Sequence, residues 1–115
     1  MTGREPVDPE AFRAVEVRVG TVLEARDFPE ARQPLVRLRI DFGEETGVLR
    51  SAARLAPRYG LDELEGRQVL AVVNLPARRI AGFASECLTL GLPDADGEPI
   101  LVEPERPVPD GGRLY

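Results

Sequence analysis

From Val15 onward the hydrophobic pattern has a period of two. Val15, Val17 and Val19 alternate with Glu16 and Arg18, Gly20 interrupts, and Val22-Leu23-Glu24-Ala25 continues. This predicts a first strand long enough to serve both halves of a small barrel, and the glycine inside it predicts a bulge or sharp bend at that point. A second strand follows in which Val36, Leu38, Ile40 and Phe42 face one way while Leu35, Arg37, Arg39 and Asp41 face the other. Val48–Ala52 reads as a third strand. Val69–Val73 is a continuous apolar run suited to a strand buried on both sides, and Cys87–Leu90 is the fifth strand.

The segments between these strands carry turn and helix signals. Asp8-Pro9-Glu10-Ala11-Phe12 has an N-cap, a proline at the first helical position and the start of a short helix. Residues 27–34 form a loop with two prolines, and 43–47 a turn. Residues 53–66 hold short helical pieces broken by Pro57 and Gly60, with Asp62 as a cap and Gly66 as a stop. Asp94–Gly97 is a turn before a short strand at Ile100–Val102. Five strands with a helical insertion between the third and fourth give an all-β fold with short helices, the order of a five-stranded OB-fold barrel. In that architecture the loops joining strands 1–2 and 4–5, here 27–34 and 75–84, flank the binding face.

Composition narrows the function more by exclusion than by assertion. The 115 residues fit a single domain, 1–115, with 1–14 and 92–115 as terminal extensions. With 43% apolar and 30% charged residues the chain is of ordinary globular composition. No apolar run approaches the roughly 20 residues that span a bilayer, so no membrane insertion is expected. The first six residues lack the hydrophobic region of a signal peptide. The single cysteine, Cys87, fits a reducing compartment, and the expected location is cytoplasmic. The absence of histidine removes the imidazole base and the usual nucleophile pairs, and no phosphate-cradling glycine motif is present. Neither catalysis nor a metal or other cofactor is expected.

Charge is uneven. The net charge is −5 and all 15 basic residues are arginine, but residues 50–85 carry 6 Arg against 3 acids while 1–49 carry 7 against 10 and 86–115 carry 2 against 7. A uniformly basic nucleic-acid binder is excluded; a local basic patch on an acidic body is not.

The stretch from Val73 to Glu86, VNLPARRIAGFASE, concentrates the candidate chemistry. Arg78 and Arg79 bring bidentate, stacking-capable guanidinium groups to a loop, where they either meet phosphate or pair with acids such as Glu86. Asn74 at the strand end either satisfies backbone groups or contacts ligand. Phe83 either plugs the barrel mouth or stacks on a base. Ser85 and Glu86 read as a pair that fixes the loop. On the second strand, Arg37 and Arg39 form either a solvated face or a phosphate track. Four Phe, two Tyr and no Trp are few for a stacking platform that binds single strands.

These residues closely resemble the signature loop of the tRNA-binding-domain family of OB-folds, found free-standing and appended to some aminoacyl-tRNA synthetases. Within the family the chain is most similar to the CsaA-type export-related chaperones. The resemblance runs through Phe12–Ala25, Phe28–Leu38, Leu64–Val69, Val73–Gly91 and the segment Pro107–Gly112. It implies an OB-fold homodimer whose terminal extensions build the interface. No catalytic residue is implied, and Asn74, Arg78, Ser85 and Glu86 match the loop motif, with Ser51 matching a small polar residue that closes the third strand. It further implies binding of unfolded or precursor polypeptides in support of protein export, with the export machinery as a partner, and tRNA as the alternative ligand. An acidic chaperone of this kind is expected to favour basic, apolar peptides. Three departures bear on RNA contacts: Ser51-Ala52-Ala53-Arg54 stands where two serines and Ala-Gln are usual, Ala77 replaces a common second proline, and lysines are absent.

Overall fold

Residues 3–115 are described by a computed structural model. Strand β1 (Val17–Asp27) is the spine of a five-stranded antiparallel sheet, with β2 (Val36–Asp41), β3 (Val48–Ala53), β4 (Gln68–Val72) and β7 (Leu88–Thr89) in the order β3-β2-β1-β4-β7. The first half of β1 pairs with β4 and the second half with β2, so one bent strand feeds both walls of a nearly closed barrel. The expected OB-fold arrangement is therefore the observed one. A two-stranded hairpin, β5 (Arg78–Ile80) with β6 (Phe83–Ser85), lies in the connection after β4. A second hairpin joins β8 (Gly91–Pro93) to β9 (Pro99–Leu101).

The alternation read along β2 is realised: Val36, Leu38, Ile40 and Phe42 are all at most 1% exposed and fill the barrel with Val22, Leu64 and Val69. In β4, Val69 and Ala71 point into this core. Leu70 and Val72 lie beside Val19 and Val17 on the outer side, where Val72 is buried and Leu70 half-buried. Helix α1 (Pro9–Ala14) begins as expected, with the Asp8 carboxylate accepting from Glu10 N at 3.0 Å. The 43–47 turn is one helical turn, α2 (Gly43–Thr46). Of the 53–66 region only α3 (Leu61–Leu64) is α-helical, and it is capped by Glu63, whose Oε1 accepts from Gly60 N at 2.7 Å, rather than by Asp62.

The bulge offered for Gly20 falls further along the strand. The register slips between Val22 and Glu24, which makes the exposed Leu23 the extra residue of the bulge. Gly20 serves a different need: a Cβ there would sit 2.7 Å from Ile40 Cγ2 and 2.7 Å from Phe42 Cδ1. The glycine admits the two buried side chains beneath the bend.

The outer edge of the first half of β1 is paired by the segment near residue 112. Val19 N donates to Gly112 O at 3.0 Å, Gly111 N to Val19 O at 2.8 Å and Leu114 N to Val17 O at 2.9 Å. The Gln68 side-chain amide clasps Val108 through both its nitrogen (2.7 Å) and its oxygen (3.1 Å), and Thr21 Oγ1 donates to Asp110 at 2.7 Å. Gly111 has φ +91° and leaves no room for a side chain against Phe42 O. No helix among the described residues is long and apolar enough to cross a membrane.

Candidate binding site

The barrel closes where β3 meets the chain leaving β6, and side chains do much of the closing. Glu86 N donates to Arg50 O at 2.7 Å, and Glu86 Oε1 accepts from Arg50 N at 2.9 Å. Ser85 Oγ accepts from Ala52 N at 3.0 Å. Ser51, 0% exposed, places its hydroxyl 2.8 Å from Thr89 Oγ1 and 3.3 Å from Cys87 O. Ser51, Ser85 and Glu86 therefore meet at one seam and take the place of ladder hydrogen bonds. Ser85 and Glu86 reach across to β3 and do more than fix their own loop. Asn74 stands apart from them. Its Oδ1 accepts from Glu16 N at 2.9 Å and its Nδ2 donates to Ala14 O at 2.8 Å, tying the end of β4 to the helix that precedes β1.

Cys87 lies in the same seam, buried, with its thiol pushed up to about 12 chiefly by desolvation and to a lesser degree by the Glu86 charge, against the lowering effect of a hydrogen bond with Ser51. A thiol held neutral is a poor nucleophile.

The 75–84 connection is ordered by its own hairpin. Ala81 (φ 48°) and Gly82 (φ 82°) form a two-residue turn with both φ values positive, which suits the twist of the flanking strands. Because strand side chains alternate, Arg78 and Arg79 part company. Arg79 turns back on the hairpin and donates to Gly82 O at 3.1 Å. Arg78 faces a groove.

Phe83 is engaged by protein on two sides. Its ring meets Phe28, from the 27–34 loop, edge-on at 5.5 Å, and the Arg50 guanidinium lies 5.5 Å from its centroid. Arg37 covers Phe28 at 5.2 Å and donates to Asp27 O at 2.9 Å. The two rim loops are thus clasped together by a Phe pair flanked by two arginines. Arg39 lies 3.5 Å from Glu24, whose carboxyl is held below its ordinary value by the hydrogen bond from Arg26 and, less strongly, by Arg39 itself. Arg37 and Arg39 share the outer sheet face with Arg26, Arg50 and Ala52.

Ala52 is where the open surface converges. Three hollows share it as a wall residue: one of about 500 Å³ between the two rim loops, one of about 330 Å³ beneath the hairpin, and one of about 300 Å³ toward β8. The largest is lined by Arg32, Arg54 and Arg78 with Glu30. Most arginines elsewhere have a carboxylate within 4.0 Å, but among the described residues these three have none and donate no hydrogen bond. The other two hollows are lined by Leu75, Leu88 and Leu92, exposed by 46%, 48% and 61%. Arg32 and Arg54 do not stand out as ligand candidates in the sequence. Arg54 belongs to the basic middle segment, which was the one available signal; Arg32 lies outside it.

A family model described as a putative tRNA binding domain matches residues 17–113, from the start of β1 to the segment that covers its edge. The chain belongs to that family. Methionine–tRNA ligase of Porphyromonas gingivalis is 37% identical over 96% of the chain, and that of Methanothrix thermoacetophila 39% over 93%. The chain spans only 16% and 15% of the length of those ligases. Among solved structures, the chaperone CsaA of Bacillus anthracis is 43% identical with a TM-score of 0.88, and that of Picrophilus torridus 36% with 0.89. Each alignment covers 96% of this chain and 100% of the other.

Proposed function

We propose that this protein is a non-catalytic binding module that holds extended polypeptide in the grooves around Ala52, as a CsaA-like chaperone. The observation that carries the reading is the union, at one small residue, of a groove with three unpaired arginines and two hollows walled by exposed leucines. Exposed leucines gathered at a rim serve an apolar ligand, since isolated surface leucines are ordinary but a shared patch is not. Full-length alignment with two CsaA chaperones supports the same reading. The test is suppression of aggregation of an unfolded client. Ala52→Phe, which fills the junction, should abolish protection while the barrel keeps its melting temperature; full protection by that variant would refute the reading.

A second reading, tRNA binding, is favoured by the same three arginines and by the family. Phosphate affinity from three arginines falls with salt by a slope of about −2 to −3. A tRNA titration at two salt concentrations measures it, and a slope near zero would remove this reading.

The working unit in the proposal is a homodimer in the cytoplasm, acting in protein export. Phe12, Val15 and Leu114 line one apolar hollow beside the first half of β1, and Val19, Leu70 and Val108 line its neighbour. Phe12 and Leu114 are 51% and 46% exposed, so that face has apolar area to bury against a second copy. Sedimentation at micromolar concentration tests this, with a 12.6 kDa monomer as the contradicting result.

A further inference from the structure

We propose that the polypeptide segments this groove selects are acidic and apolar in succession, not basic and apolar. The inference rests on the polypeptide reading above and names its ligand class. The acidity of the whole chain points toward basic clients, but the charge that a ligand meets is the charge lining the groove. There the only carboxylate is Glu30, against Arg32, Arg54 and Arg78. A bound cation would lie among three guanidinium groups with Glu30 as its single counter-charge, an arrangement that disfavours a basic partner.

The geometry also orders the ligand. Arg78 and Ile80 line both the cationic hollow and the apolar hollow beneath the hairpin, and Ala52 joins those two to the third. One extended chain can therefore lay a run of Asp or Glu along the arginines and continue as Leu or Val against Leu75, Leu88 and Leu92. Extended peptide suits such a path because its side chains need only alternate pockets to be read. RNA is the weaker fit to the whole surface. Phosphate satisfies the arginines but leaves the three leucines without a partner. No aromatic residue lines any of the three hollows for a base to stack on.

Four fluorescein-labelled peptides test this by anisotropy: an Asp/Glu block joined to a Leu/Val block, the same with Lys or with Ser for the acids, and the acidic block joined to Ser alone. The acidic-apolar peptide should bind at least about tenfold more tightly than any of the others. Each of Arg32→Ala, Arg54→Ala and Arg78→Ala should weaken it by roughly two- to fivefold. Arg54→Glu combined with Arg78→Glu should invert the preference toward the Lys peptide, an outcome that a merely unfolded variant cannot produce. If the Lys peptide binds the native protein as tightly as the acidic one, the inference is wrong and the polypeptide reading survives. If none of the peptides binds saturably, the polypeptide reading itself fails. If the acidic-Ser peptide matches the acidic-apolar one and tRNA displaces it, the groove is a phosphate site and the inference is overturned.

Discussion

Ser85→Ala separates a residue that closes the barrel from one that contacts ligand. The hydroxyl accepts from Ala52 N at 3.0 Å and lies 3.4 Å from Cys87 O, with Ser85 itself 9% exposed. Removing it leaves the Ala52 amide without its acceptor, for which the ordinary cost is about 1–3 kcal/mol. Ala52 is half-buried, so water recovers part of this and the lower half of the range, about 1–2 kcal/mol, is expected. A chain of 115 residues has an unfolding entropy near 0.24 kcal/mol per kelvin, so each kcal/mol moves Tm by about 4 °C. The variant should therefore melt about 4–8 °C below the native protein by calorimetry. At temperatures where both are folded, affinity for the groove ligand should change by less than about twofold, because the hydroxyl is spent on the seam. An unchanged Tm with lost binding would refute this assignment.

Gly20→Val drives a branched side chain into Ile40 and Phe42, each 0% exposed, with contacts of 2.7 Å to relieve. It should cost about 1–3 kcal/mol in urea unfolding, and a neutral result would show that the bend yields easily. Asn74→Ala removes both side-chain bonds to residues 14–16 and leaves the backbone bond from Val73 N to Glu16 O in place. The Glu16 amide should then exchange roughly tenfold faster, with the barrel amides unchanged. The Cys87 thiol is raised from 9.0 to about 12 in the folded chain. Its folded state holds the proton more tightly than the unfolded state, so its stabilisation is complete below pH 9 and lost as pH rises from 9 to 12. Urea melts of the native protein should show this alkaline loss relative to Cys87→Ala; parallel profiles would contradict it.

The barrel was legible because its information is local. Val36, Leu38, Ile40 and Phe42 announce a buried face through spacing alone, and Asp8-Pro9 announces a helix start. The hairpin inside 75–84 was not, since Ala81 is not a residue that usually signals a turn with two positive φ values and only Gly82 hinted at one. Gly20 stands out within its strand, but whether a strand glycine serves a bulge or a close approach depends on which side chains lie across from it. The site follows the same logic. Asn74, Arg78, Ser85 and Glu86 stand out along the chain, yet their separation into a tether, a groove wall and a barrel seam is decided by residues distant in sequence. Arg32, Arg54 and Arg78 come from three different segments, and only closure of the barrel brings them to one hollow.

A heteronuclear NMR titration of the labelled protein with the acidic-apolar peptide tests the groove around Ala52 most directly. Saturable shifts should map to the amides of Ala52, Arg54, Arg78 and Leu88, with Val17, Val19 and Leu114 on the opposite face unmoved. Shifts confined to that opposite face, or none at saturating peptide, would contradict it.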